Sequence, residues 1–333
     1  MANPVRAPDF WRKAGGLGVA LSPVGWCYGL YARLLYKSAR PVKAAVPVLC
    51  VGNLVIGGAG KTPVALSIGR RLIERGRKVH FLSRGYGGRV AGPLRVDPQN
   101  HTAADVGDEP LLLARTAPAW ISRDRAAGIG VACDGAELIV MDDGFQNASV
   151  SKDLSLLVVD GEYGFGNGRL IPAGPLRETV SSALSRTDVL VLIGEDIAGI
   201  ENHPAVRESR LPVLKAHVRP GPEAESLKGQ PVVAFAGIAN PEKFFLTLEE
   251  SGSEIKASHA FPDHHPFGEE DIQRLKSEAA DLGAKLATTE KDAMRLSPAT
   301  LSGIVVLTIF LEWEDEAALD AVLGPLLADR SLV

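Results

Sequence analysis

A chain of 333 residues, 46% hydrophobic and 23% charged, suits one large or two ordinary folded domains and excludes a disordered polymer. Its net charge of −4 excludes a global nucleic-acid-binding surface. Cys27, Cys50 and Cys133 are odd in number and lack metal-ligand spacing, which excludes a disulfide framework and a zinc site.

The first 44 residues stand apart. They hold seven basic residues (Arg6, Arg12, Lys13, Arg33, Lys37, Arg40, Lys43) and one acid, Asp9, around an uncharged run from Ala14 to Ala32 with Trp26, Tyr28, Leu30 and Tyr31. A transmembrane helix needs ~20 apolar residues, and this run is interrupted by five glycines and Pro23. A signal peptide needs a tighter apolar core and a small-residue cleavage site. A helix lying in the membrane interface, flanked by Lys and Arg, fits the pattern best. An ordinary helix packed on the next domain is the competing reading.

From residue 45 the pattern becomes alternating strand and helix. Val46–Val51 is β-like and Thr62–Glu74 helix-like, and between them runs Gly57-Gly58-Ala59-Gly60-Lys61-Thr62. Strand, glycine loop and helix in that order predict a phosphate-binding loop. Glycines let backbone N–H groups turn in around phosphate oxygens; Lys61 would reach the β- and γ-phosphates of ATP and Thr62 would ligate Mg²⁺. The first glycine of the common Gly-x4-Gly-Lys-Thr spacing would fall at position 55, which is Val55, so this is the compact Gly-Gly-x-Gly-Lys-Thr variant. A plain glycine turn would not require the lysine, threonine, strand and helix together.

Lys78–Ser83 reads as a strand followed by a glycine turn between Arg84 and Arg89. A loop with Asp108 and Glu109 precedes a helix from Leu111 to Thr116; as a simple structure, it is a helix cap. Ala119–Ser122 reads as a strand and Asp124–Val131 as a helix. Glu137–Met141 is a buried strand ending in Asp142-Asp143, the position where phosphate-loop enzymes keep the acid that holds Mg²⁺. An acid pair after a strand is otherwise a turn signal, and residue order leaves the two aspartates equivalent. Leu154–Asp160 and Asp188–Ile193 are nearly continuous apolar runs, as in parallel sheets covered on both faces.

The expected fold is therefore a P-loop, Rossmann-like α/β domain over 45–218, a mostly parallel sheet covered by helices. A composition shift near Pro212–Pro222, with Val213–Val218 as a β linker, opens a smaller C-terminal α/β lobe over 219–333. That lobe is expected to contain a strand at Val232–Ile238, helices at Pro241–Glu250 and Glu269–Leu282, a strand at Ile304–Trp313 and a final helix at Asp315–Ala328. Within it, Asp263-His264-His265 sits between prolines and aromatics. Adjacent residues on a strand point to opposite faces, so one histidine serving as a general base fits better than two metal ligands. A capped loop with solvent-facing histidines is the bland reading. Segments 84–89, 166–178, 234–241 and 288–292 also set Gly or Pro beside Arg, Asn or Lys, which suits phosphate or sugar contact and equally suits turns.

Taken together, the glycine loop with Gly52-Asn53, Ser83-Arg-Gly-Tyr-Gly87, Gly107-Asp-Glu109, Asp142-Asp-Gly-Phe-Gln146, Arg169-Leu-Ile-Pro-Ala-Gly-Pro-Leu-Arg-Glu178, Phe235-Ala-Gly-Ile-Ala-Asn-Pro241, Asp263-His-His265 and Thr288-Thr-Glu-Lys-Asp292 resemble the tetraacyldisaccharide 4′-kinase family over residues 10–296. The resemblance implies transfer of the γ-phosphate of ATP, with Mg²⁺, to the 4′-hydroxyl of a lipid disaccharide 1-phosphate, giving lipid IVA in lipid A biosynthesis. It implies an enzyme on the cytoplasmic face of the inner membrane, a cleft between two lobes, and Asp108 with His264 as the pair that activates the sugar hydroxyl. A monomer is expected. Lys61 then joins the catalytic set, Glu109 joins Thr62, Asp142 and Asp143 as metal candidates, and Arg84, Arg169, Arg177 and His265 are candidates for substrate contact.

Two other classes compete. A membrane-bound switch ATPase of the ParA/MinD type shares the compact glycine loop, but would carry a lysine where Ile56 stands and a membrane helix at its C-terminus. A phosphoesterase built on Asp-His-His would not need the phosphate loop.

Overall fold

The structure is a computed structural model that describes residues 8–13 and 15–327. Arg6, Ala14 and Ala328, named above in the N-terminal segment and final helix, lie outside the described residues. In chain order the strands are β1 (Val48–Asn53), β2 (Val79–Ser83), β3 (Leu94–Arg95), β4 (Ala119–Ile121), β5 (Leu138–Asp142), β6 (Leu154–Asp160), β7 (Val189–Ile193), β8 (Val213–Pro220), β9 (Pro231–Ala236), β10 (Glu254–Ala260), β11 (Lys285–Thr289), β12 (Ile304–Leu307) and β13 (Ile309–Trp313). The helices are α1 (Gly16–Ser38), α2 (Lys61–Glu74), α3 (Ala103–Val106), α4 (Asp108–Ala114), α5 (Arg125–Ala132), α6 (Val180–Leu184), α7 (Pro204–Ser209), α8 (Pro241–Glu250), α9 (Glu269–Asp281), α10 (Glu290–Ala293), α11 (Pro298–Leu301) and α12 (Glu316–Leu327).

Nine strands form one sheet in the order β13-β8-β7-β6-β1-β5-β2-β4-β3. All pairs are parallel except the two edges, β13 on β8 and β3 on β4. Strands β1, β2, β5 and β7 are buried at every position for a plain reason: alternate residues serve different cores. Leu49 and Val51 of β1 join one buried cluster, and Val48 and Cys50 join another. Strand β1 lies between β5 and β6: strands β2 to β5 are laid down on one side of it and β6 to β8 on the other, so the strand order reverses there. In open α/β sheets the crevice beyond the carboxyl ends at such a point is where ligands bind.

The smaller sheet, β10-β9-β11-β12, is parallel throughout and is covered by α8 and α9 through Phe244, Leu248, Ile272 and Leu275. Here the structure corrects the expected single strand over 304–313. The chain breaks at Thr308, whose Oγ1 donates to Glu223 at 2.8 Å, and β12 and β13 lie in different sheets. From Ile309 the chain is back in the large lobe. Strand β13 pairs antiparallel with β8, Trp313 donates to Ser67 of α2 at 2.9 Å, and Arg71 of α2 pairs with Glu316 and Asp320 of α12. The smaller lobe thus runs from about the end of β8 to Thr308 rather than from 219 to 333, because apolar patterning fixes a strand but not the sheet that receives it.

Helix α1 has Pro23 inside it and packs its glycines on the segment 169–173: a Cβ at Gly25 would meet Leu170 O at 2.9 Å, and one at Gly18 would meet Ala173 O at 3.1 Å. Among the described residues, no helix is long and apolar enough to cross a membrane.

Candidate active site

Strand β1 ends at Asn53 and α2 opens at Lys61, so the glycine loop lies at the carboxyl edge of the large sheet. Gly57 at φ 121° and Gly60 at φ 82° hold backbone conformations that an L side chain rarely adopts. The loop is tied from both sides. Buried Asn53 donates to Val55 O at 2.9 Å, and Ile56 N donates to Pro175 O at 3.0 Å. No side chain caps α2, which leaves the first N–H groups of this 14-residue helix directed at the crevice.

Register places Asp142 beside Val51, one strand over from the loop. Thr62 Oγ1 donates to Asp142 Oδ2 at 2.9 Å. Lys61 Nζ lies 3.8 Å from Asp143 Oδ1, and Arg177 Nη1 lies 3.3 Å from the same oxygen. Burial pushes the Asp142 carboxyl up to about 6 against the pull of Lys61, whereas Lys61 and Arg177 overcome burial at Asp143 and hold it below the usual range. The second oxygen of Asp142 is buried and has no hydrogen-bond partner. An orphaned carboxylate oxygen next to the phosphate-loop threonine is the donor set a hard divalent cation takes. Thr62, Asp142 and Asp143 therefore fit Mg²⁺.

A second cluster joins the lobes. Asp108 begins α4 in the large lobe, where it accepts from Glu109 N at 3.2 Å, and is 2% exposed. His264 Nδ1, from the smaller lobe, lies 3.1 Å from Asp108 Oδ2. The same oxygen takes Arg295 Nε at 3.0 Å and Arg295 Nη2. Burial works against the Asp108 charge, but His264, Lys291 and Arg295 outweigh it and keep this carboxyl far below the usual range. In turn Asp108 raises His264 despite the burial of the ring. Glu109 pairs with Lys291 Nζ at 2.7 Å; burial, with the Asp108 charge alongside, still pushes Glu109 up to about 7. Glu109 thus sits with Asp108 and His264, held by Lys291.

Two of the three non-glycine residues with positive φ among the described residues are Asp143 (53°) and His264 (59°). Backbone held in a sparse region at both clusters marks positions the surroundings over-determine. At His264 it also resolves the adjacent histidines. The ring of His265 turns away to donate to or accept from Asp271 at 2.9 Å and stacks on Phe261 at 4.8 Å, so it closes the front of α9 and does not face Asp108. One loop links the clusters: Gly237 O accepts His264 N at 3.0 Å, and a Cβ on Gly58 of the glycine loop would lie 3.2 Å from Ala239.

The arginines divide. Arg177 is in the site, donating to Asp143 and to Gln146 Oε1 at 3.2 Å. Arg169 reaches back to Ser22 of α1 and is a strut between helix and core. Arg84 is exposed and lies within electrostatic reach of Arg125. Arg125, 3% exposed, and Arg295 were not singled out from sequence, and Lys291 stood only inside a motif without a role. The spacing Lys291–Arg295, one helical turn, is the signal for the last two; nothing local announces the acids they meet.

A family model described as tetraacyldisaccharide-1-P 4′-kinase matches residues 17–328. The chain belongs to the tetraacyldisaccharide 4′-kinase family. The family's enzyme from Paramagnetospirillum magneticum is 52% identical over 311 residues, 93% of this chain and 95% of that protein. That from Rhodospirillum centenum is 52% identical over 334 residues, 98% of each. The crystal structure of LpxK from Aquifex aeolicus in complex with ATP aligns with a TM-score of 0.76 at 27% identity, covering 94% of this chain and 100% of that one. As a tetraacyldisaccharide 4′-kinase the chain is an ATP-dependent phosphotransferase, and the switch-ATPase and phosphoesterase alternatives fall away.

Proposed function

We propose that this kinase phosphorylates the 4′-hydroxyl of a tetraacyldisaccharide 1-phosphate with the Asp108–His264 pair as the group that activates the hydroxyl, working at a membrane surface. The observation that carries the residue assignment is the 3.1 Å contact between His264 Nδ1 and Asp108 Oδ2 across the cleft.

A sugar hydroxyl is a weak nucleophile, and phosphoryl transfer depends chiefly on alignment and charge stabilisation. With Nδ1 directed at Asp108, the Nε2 of His264 lies 3.7 Å from Asp263 Oδ2, beyond hydrogen-bond length; the His264 side chain is 24% exposed against 2% for Asp108. His264 is thus the member of the pair that a hydroxyl can reach. Asp108 orients the ring and stabilises the imidazolium formed when the proton is taken. Lys61 neutralises charge on the transferring group, and the glycine loop holds the phosphates through its backbone. Mg²⁺ held by Thr62, Asp142 and Asp143 would offset charge between the β- and γ-phosphates.

Placement at the cytoplasmic face of the inner membrane rests on α1. Its exposed side includes Trp26 (77%), Leu30 (61%) and Tyr31 (62%), along with Leu17, Leu34 and Leu35, and Lys37, Arg40 and Lys43 follow. Apolar surface with trailing cations suits an interface rich in anionic lipid. Because α1 rests on the 169–173 segment, and Pro175 holds the glycine loop, an acyl chain at α1 would have its headgroup close to the site. Both halves of the site come from one chain, which supports a monomer.

Transfer of labelled γ-phosphate from Mg·ATP to tetraacyldisaccharide 1-phosphate in micelles tests the activity, beside a control without lipid. Label in a bis-phosphorylated lipid supports the reading; ATP hydrolysis with unlabelled lipid overturns it.

A further inference from the structure

We infer that Arg295 is a positioning residue for the transfer reaction, a rigid fork from the smaller lobe that fixes the Asp108 carboxylate and thereby aims His264. The inference rests on the assignment of the Asp108–His264 pair.

Arg295 is bonded on every side. Nε and Nη2 both donate to Asp108 Oδ2. Nη1 donates to Asp292 Oδ1 at 2.8 Å and to Gly237 O at 3.0 Å. Asp292 is 0% exposed and is itself locked: both of its oxygens accept Gly237 N at 3.1 Å, and Thr289 Oγ1 donates to Oδ2 at 2.7 Å. The guanidinium is 6% exposed, so this is a planar cation held in one orientation by a buried acid.

The consequence follows from what else Asp108 Oδ2 holds. That oxygen also carries His264 Nδ1, so the direction of the carboxylate sets the tilt of the ring. Gly237 is shared as well: its N–H binds Asp292, and its carbonyl takes both Arg295 and His264 N. Arg295 therefore grips the dyad at its acid and at the backbone of its base. Lys291, four residues earlier, meets the neighbouring acid Glu109, so two cations from α10 and the turn that follows it meet two adjacent acids across the cleft. No substrate atom needs to touch Arg295 for its loss to matter, because a misplacement of ~1 Å in a reacting group can cost ~10²-fold in rate.

Arg295→Ala, Arg295→Lys, Asp108→Ala and Asp108→Ala/Arg295→Ala should be compared in the lipid phosphorylation assay, with melting temperatures recorded. For Arg295→Ala we expect kcat to fall by ~10²-fold, with KM for ATP and for lipid within about twofold because only alignment is lost. Guanidinium ion, added well below denaturing concentration, should restore part of that loss but none in Asp108→Ala. The double variant should match Asp108→Ala. Arg295→Lys keeps the charge without the fork and should fold, with kcat down by roughly tenfold. Wild-type kcat in Arg295→Lys, or a double variant lower than Asp108→Ala by the full Arg295→Ala factor, would overturn the inference while leaving the dyad in place. Asp108→Ala with near-normal kcat would overturn the dyad and this inference with it.

Discussion

Asp108 and His264 stand 156 residues apart in the chain, yet Oδ2 of one lies 3.1 Å from Nδ1 of the other. The contact exists only because the two lobes face each other, so any motion that opens the cleft separates the pair proposed as the base. Closure then couples chemistry to exclusion of water, which limits wasteful hydrolysis of ATP.

Asp108→Ala and His264→Ala should each lower turnover by ~10²–10⁴-fold. The double variant should lose little beyond the worse single one, since the two act as a unit. Losses that multiply would mean they act separately. His265→Ala should change kcat far less, its ring being spent on Asp271 and Phe261.

Lys61→Ala should lower phosphoryl transfer by at least ~10²–10³-fold, the scale for removing one preorganised donor from a transferring group. Substantial activity in that variant would remove the phosphate-loop role.

Asp142 gives the metal-free protein a pH dependence of definite sign. Burial raises its carboxyl from 3.8 to about 6, so between those values the folded state binds the extra proton. Stability should therefore fall as pH rises through that window, by up to ~1.4 kcal/mol per pH unit for one proton. Asp142→Asn should flatten this slope, and saturating Mg·ATP should suppress it by stabilising the ionised form. A slope unchanged in Asp142→Asn, from melting curves at pH 4.5 to 7, would assign it elsewhere.

Trp26→Ser/Leu30→Ser/Leu34→Ser removes three exposed apolar side chains of α1 spaced one turn apart. Fully burying one such side chain contributes ~1.5–3 kcal/mol, so partition onto anionic vesicles should drop at least ~10-fold even with partial insertion. KM for lipid should rise and KM for ATP should not. Equal changes in both would point to a folding defect in place of a lost anchor.

Trp313→Ala should destabilise the large lobe although it lies only twenty residues from the end of the chain. Its indole is 7% exposed and bonded to α2, and comparable truncations cost ~3–5 kcal/mol. Melting followed with and without ATP should show the nucleotide-binding transition shifting. A loss confined to the smaller lobe would contradict the topology.

How far residue order reaches into this molecule can be read from particular positions. Gly57 and Gly60, Lys61 and Thr62 were legible because a phosphate loop is a local device: its glycines answer to their own φ angles, and its lysine and threonine follow at fixed spacing. The aspartates at the end of β5 were legible for the same reason, as the close of an apolar run. What sequence left equivalent, three-dimensional packing separated. Asp142 bonds Thr62 and keeps one oxygen orphaned, while Asp143 meets Lys61 and Arg177. His264 faces Asp108 and His265 faces Asp271, through a left-handed turn that no periodicity reveals.

The sequence by itself determined the buried parallel strands of the large sheet, the glycine loop and the family, because each depends on residues close together in the chain; the half-exposed β10 and the short β11 of the smaller sheet escaped it. Only the tertiary structure decided that β13 and α12 return to the large lobe, that Glu109 serves the dyad's cluster, and that Arg295 grips Asp108. Those are pairings between distant segments, fixed by which buried charges and sheet edges satisfy one another.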